Sequence, residues 1–237
     1  MPPITRRRAG ILRGTGALPA WVLAAVLTGC AGHDPILAPT PRELAWVAPD
    51  SFLVRLVTSK GPVVIAAHRS WSPLGVDRFH FLVRHRYYDG ARFFRVIPGF
   101  VAQWGLAADP ALTAVWAPRR LPDEPVRHSN TRGRVAYARG GPHTRSVQLY
   151  VNLGNNARLD TLNAFGFPPI GEVIEGLDLL DSLYAGYSCR GNSPACPSQD
   201  SIRLGGNAYL ARAHPLLDSI TEARVTREWG RPRRRSP

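Results

Sequence analysis

Arg95 is the residue of this chain whose surroundings most demand a chemical explanation. It stands between Phe94 and Val96, with Phe93, Ile97 and Phe100 close by, in a run whose residue types favour a strand. Side chains alternate along a strand, which would put Phe93, Arg95 and Ile97 on one face. A guanidinium on an otherwise apolar face needs a partner or a purpose, and its permanent charge suits electrostatic work. No nucleophile elbow, phosphate loop or metal-binding histidine motif accompanies it, so hydrolase and nucleotide-binding readings lack support.

The three cysteines carry the other chemistry. Arg6, Arg7, Arg8 and Arg13 precede an apolar stretch, Ala17 to Gly29, which is too short to span a bilayer comfortably and has the layout of a secretion signal. It ends Leu27-Thr28-Gly29-Cys30, which resembles a bacterial lipobox. Residues 1–29 are therefore expected to be a lipoprotein signal, with Cys30 lipidated and the chain anchored to a bacterial membrane facing the periplasm or cell surface. An uncleaved anchor or an ordinary signal peptide remains the alternative, and either still exports the chain. Cys189 and Cys196 are left as an even pair in a Gly/Pro/Ser-rich loop, where a local disulfide is expected outside the cytosol. Two cysteines without nearby histidines make a poor zinc site, and no metal or cofactor is expected.

These groups must be positioned by a folded body. The chain has 237 residues, 44% of them hydrophobic and 20% charged, enough for one barrel-sized domain. The formal charge of +13 raises nucleic acid as a partner. Lys60 is the only lysine, however, and the arginines are scattered except at 6–8 and 231–235, with no basic helix or interleaved aromatic stripe. Nucleic acid is therefore not an expected partner. Ala31 to Pro41 is Gly- and Pro-bearing, so residues 30–43 read as a lipidated tether. The folded domain is expected over 44–228, and 229–237 as a basic disordered tail.

Within that domain, Ser51 to Val57 and Pro62 to Ala67 flank a turn-like Thr58-Ser59-Lys60-Gly61 and suggest a hairpin. Ser72-Pro73 reads as a helix entry, with Val76, Phe79, Leu82 and Val83 on one face up to Arg86. Further strands are expected at Ala91 to Ile97, Phe100 to Trp104, Arg134 to Ala138, Val147 to Asn152 and Ile170 to Val173. A second helix is expected at Leu177 to Tyr184. Short strands with two separated helices suggest a mainly β fold, a closed antiparallel barrel capped by helices.

The run from Tyr87 to Gln103, which includes Phe93-Phe94-Arg95-Val96-Ile97-Pro98-Gly99-Phe100-Val101-Ala102-Gln103, resembles the signature segment of cyclophilin-type peptidyl-prolyl isomerases. Gly133 to Ala138 and Thr144 to Tyr150 look like the family's second block, and Leu159-Asp160 with Ile170 to Gly176 like its third. The similarity covers roughly Ser51 to Tyr184, with Ile220 to Val225 supplying the last strand. It implies an eight-stranded barrel capped by two helices and catalysis of rotation about bonds preceding proline in proline-containing polypeptides. Arg95 matches the catalytic arginine. Phe100, Val101, Tyr150 and Leu159 match the proline pocket, while Gln103 and the backbone around Ala138 and Arg139 match groups that hold the substrate chain.

The chain departs from the family pattern at several positions. Trp104-Gly105 replaces Gly-Gly, Leu149-Tyr150 replaces Phe-Phe, and Val101 stands where the pocket methionine would be. Phe167 falls at the pocket histidine after extra residues from about Asp160. Arg158 stands where many members carry tryptophan, which speaks against strong cyclosporin binding. An insertion at about 186–215, helical around Asn207 to Arg212, precedes the last strand. The expected function is a monomeric isomerase that assists the folding of exported proteins. A non-catalytic module binding proline segments and a membrane-anchored assembly scaffold are the alternatives.

Overall fold

The computed structural model describes residues 33–187, 189 and 193–230. The signal at 1–29, the lipidation site Cys30 and the end of the basic tail, 231–237, lie outside the described residues. Among those described, no helix is long and apolar enough to cross a membrane.

Eight strands form one antiparallel sheet: β1 (Ser51–Thr58), β2 (Gly61–His68), β3 (Arg95–Ile97), β4 (Val101–Trp104), β5 (Arg134–Tyr137), β6 (Leu149–Asn152), β7 (Pro169–Glu175) and β8 (Ile220–Trp229). Their spatial order is β3-β4-β6-β5-β7-β2-β1-β8. The expected hairpin is β1–β2, paired from Ser51–His68 to Thr58–Gly61. Phe52, Val54 and Leu56 of β1 are buried, as strict alternation demands, whereas β2 is buried continuously from Val63 to Ala67.

The sheet is strongly curled, but the expectation of a closed barrel needs correction. The continuous ladder ends at β3 and β8. Those edges meet only through an isolated Arg92–Ser219 bridge and flanking backbone bonds, such as Ile220 N to Ala91 O at 2.7 Å. The physical reason lies in the segment before Arg95. Phe93 turns into the main core beside Trp104, while Phe94 packs into a second cluster with Leu106, Ile202, Leu210 and Leu217. Residues 91–94 thus do not continue β3, and Phe93 does not extend an alternating face from Arg95.

Among the described residues, five helices accompany the sheet rather than two: α1 (Pro41–Leu44), α2 (Pro73–Arg84), α3 (Pro110–Trp116), α4 (Leu177–Asp181) and α5 (Gln199–Ala213). Helix α2 presents Val76, Phe79, Leu82 and Val83 to the core. Its first turn is capped from afar, because the Glu124 carboxylate accepts from Leu74 N at 2.7 Å and Gly75 N at 3.1 Å. Helix α5 fills the insertion and buries Ile202 and Leu210 behind Phe94. Cys189 and Cys196, just before it, are joined in a disulfide.

Part of the segment expected to be a tether belongs to the body. Ile36 is buried in the main core, its carbonyl accepts from Trp116 Nε1 at 2.7 Å, and α1 carries a Thr40/Glu43 capping box. Trp46 Nε1 donates to His80 Nδ1 at 2.9 Å, and the opposite ring nitrogen meets Glu228 Oε1 at 2.8 Å. Indole only donates, so Nδ1 must be unprotonated and Nε2–H must face Glu228.

Burial pushes the His80 pKa below its ordinary 6.5, despite the opposing pull of Glu228. His68 and His128 shift the same way, again chiefly through burial. A folded-state pKa below the unfolded one means that the unfolded chain binds the proton first. This stability is complete above the ordinary histidine value and is lost as pH falls through the folded one. Thermal unfolding from about pH 8 to about pH 5 should show a falling Tm that begins below about pH 6.5. A rising or flat profile would contradict the lowered histidine pKa values.

Candidate functional site

All nine residues expected to contact or act on substrate line one cleft of about 960 Å³: Arg95, Phe100, Val101, Gln103, Ala138, Arg139, Tyr150, Leu159 and Phe167. Strands β3, β4 and β6 supply four of them, Arg95, Val101, Gln103 and Tyr150, while Ala138 and Arg139 directly follow β5. Arg95 pairs with Gln103, and Gln103 in turn with Tyr150. The register therefore stacks the cation, the amide and the aromatic ring side by side across three strands.

The apolar end of the cleft is a small cluster of its own. Val101, Ala136, Tyr150 and Leu159 are buried together, with Phe100, Ala138 and Phe167 packed against them. The extra residues after Asp160 fold into short 3-10 turns that bring Phe167 back, its N–H bonded to Leu159 O at 2.9 Å. Its ring meets Tyr150 edge-on with centroids 6.1 Å apart. The Tyr150 hydroxyl points out of the pocket and donates to Asn130 Oδ1 at 2.9 Å. Burial raises its pKa, so it remains a neutral donor.

Arg95 is half-buried. Its Nη1 makes a long 3.4 Å bond to Gln103 Oε1, and its guanidinium carbon lies 5.7 Å from the Phe100 ring centroid. Burial lowers its pKa, but an arginine stays charged in a protein. Gln103 Nε2 then donates to Gln148 Oε1 at 2.7 Å, and Gln148 Nε2 to Gln199 Oε1 at 3.0 Å. Because arginine only donates, this chain of amides has a single orientation. It leaves the other guanidinium N–H groups available to whatever enters the cleft.

Three features of the site have no counterpart in the sequence reading. Asn130 is fully buried and ties Tyr150 to Asp160 and Phe167, donating to Asp160 Oδ1 and to Phe167 O at 2.8 Å each. Arg139, expected to contribute backbone, also buries its side chain. It sits 3.0 Å from an Asp123 oxygen and over the Phe165 and Phe167 rings at 5.3 and 5.2 Å. Helix α5 reaches the cleft with Gln199 and Arg203. Asp123-Glu124 in a Pro-rich loop was a visible acidic pair, but nothing in its spacing pointed to the arginines it meets.

Gly105 explains one departure from the family pattern. Its φ is +111°, and a Cβ there would lie 2.4 Å from Val147 O. The glycine is needed at this position, whereas the preceding one is free to be Trp104, which fills the core.

A curled eight-stranded antiparallel sheet with an arginine and a glutamine beside an apolar pocket defines a cyclophilin-like fold. Two solved structures of a Cryptosporidium parvum cyclophilin-type peptidyl-prolyl cis-trans isomerase share it. One has a TM-score of 0.54 at 20% identity, covering 74% of this chain and 98% of that one. The other, in the presence of the dipeptide Ala-Pro, has a TM-score of 0.52 at 19% identity, covering 73% and 98%. Residues 53–202 match the model of the cyclophilin type peptidyl-prolyl cis-trans isomerase family. Peptidyl-prolyl cis-trans isomerase A of Dickeya dadantii is 32% identical over 166 residues, covering 68% of this chain and 83% of that protein. Isomerase B of Escherichia coli is 29% identical, covering 55% and 83%. The chain belongs to the cyclophilin-type peptidyl-prolyl cis-trans isomerase family.

Proposed function

We propose that this protein catalyses cis–trans rotation about bonds preceding proline, that its clients are exported polypeptides, and that Arg95 is the catalytic residue. The observation that carries this reading is the placement of Arg95, a desolvated cation without a carboxylate partner among the described residues, at the edge of a pocket walled by Val101, Tyr150, Leu159 and Phe167.

Rotation destroys amide resonance and faces a barrier of about 20 kcal/mol. No covalent step is needed. The apolar pocket holds the proline ring, and Gln103 with the backbone near Ala138 and Arg139 holds the chain. In the twisted amide the proline nitrogen regains its lone pair, and the Arg95 N–H groups meet it more strongly than they meet the planar ground state.

An isomerisation assay on a proline-containing peptide tests this reading. The full chain should relax the isomers far faster than the uncatalysed tens of seconds. Binding without acceleration would favour the proline-segment module instead.

Export and anchoring through Cys30, with the protein acting as a monomer, complete the proposal. Their support is the Arg-rich start, the apolar stretch and the Leu27-Thr28-Gly29-Cys30 sequence. Mass analysis of the membrane fraction should find a chain that begins at a lipid-modified Cys30. A Cys30→Ala chain that stays membrane-bound to the same extent would count against the anchor.

A further inference from the structure

We propose that the cleft continues beyond the proline pocket into a subsite for acidic side chains of the client, formed by Arg120 and, from the inserted helix α5, Arg203. The inference rests on the isomerase reading of the same cleft and names its preferred substrates. Among the described residues, four arginines line the cleft, at 95, 120, 139 and 203, and no aspartate or glutamate does.

These four charges are not equally available. Arg139 is buried and neutralised by Asp123 behind it. Arg95 is reserved, in the isomerase reading, for the amide that rotates. Arg120 is exposed and has no carboxylate partner among the described residues. Arg203 pairs at 2.6 Å with Asp200, whose side chain is 88% exposed. Such a surface pair is worth little, so a client carboxylate can take the place of Asp200 at small cost.

Helix α5 is held where this subsite needs it. Gln199 is tied to Gln148 at the cleft, and Arg203 follows it by one turn on the same helical face. Ile202 and Leu210 anchor the helix behind Phe94. The positive end of the α5 dipole adds to the field at the cleft. Residues 1–29 hold four arginines and no acidic residue, so the chain from Cys30 onward keeps 26 lysines and arginines against 17 acidic residues, a formal +9, which reinforces attraction of anionic clients.

The test uses the full chain and three peptide series that differ only in placing Glu, Gln or Lys at each of the positions flanking the Ala-Pro bond. At one or more positions kcat/KM should fall in the order Glu, Gln, Lys, with about three- to tenfold between the extremes at low salt. The ratio should contract at high salt. Within an Arg120→Gln/Arg203→Gln variant, and partly within Arg203→Gln alone, the Glu-to-Lys ratio should approach one. Robust turnover with no charge preference at any position, or a preference unchanged in the double variant, overturns the subsite. Absence of turnover for every peptide overturns the isomerase reading itself.

Discussion

An Arg95→Ala variant is expected to lose about 100- to 1,000-fold in kcat/KM toward a proline-containing peptide, the usual effect of deleting one donor that stabilises a transition state. The loss should fall mainly on kcat. The planar ground-state amide offers the guanidinium little, because its nitrogen lone pair is delocalised, whereas the twisted amide offers a localised acceptor. Folding should be nearly unaffected, since Arg95 makes a long 3.4 Å bond to Gln103 and a loose contact with the Phe100 ring, and no ion pair among the described residues compensates its burial. Arg95→Lys should recover part of the loss by restoring the charge without the planar fork of donors. The peptide isomerisation assay, with thermal unfolding as the control for folding, reads all three outcomes. Equal activity of wild type and Arg95→Ala would remove Arg95 from the mechanism.

What the sequence revealed and what it hid follow from how local each signal is. The β1–β2 hairpin was legible because alternation, a turn and a β-branched run lie within eighteen residues. Phe100 and Gln103 were legible because they share one short motif with Arg95, and β3 and β4 pair directly. The start of β3 was misread because Phe93 and Phe94 enter two different cores, and alternation cannot report a second core built by a distant insertion. Helix α5 was read only at its C-terminal half. Gly205-Gly206 interrupts it, and Gly206 adopts φ +48° against Ala108 O. Helix α3 had a readable start in Asp109-Pro110, an N-cap followed by proline, but seven residues gave too little periodicity to recognise. Asn130 and Gln199 reach the site from loops and an insertion 20 and 51 residues away from their partners Tyr150 and Gln148. No pattern along the chain encodes such contacts.

Glu124→Ala is expected to destabilise the fold by about 3–5 kcal/mol, as removal of one member of a buried ion pair does. The carboxylate is almost fully buried and lies 2.9 Å from Arg145 Nη2, whose side chain is wholly buried. It also accepts from the Ser72 hydroxyl and from the first backbone N–H groups of α2, so its loss uncaps that helix and strands a cation together. Glu124→Gln should cost less, because its amide oxygen can still cap α2 while its nitrogen faces Arg145 unfavourably. A Glu124→Met/Arg145→Met chain should regain much of the single-variant loss, since no charge is then left buried. Urea unfolding of the three variants measures the differences. The same network joins the 118–126 loop to the segment that leads through Gln148 into β6, by Leu121 N to Arg145 O at 2.7 Å. The loop carries Pro118 and Arg120 into the cleft, and Ser146 and Gln148 face them. Loosening Glu124 should therefore raise KM for peptides before the fold is lost, whereas a network serving stability alone would leave KM unchanged until unfolding begins.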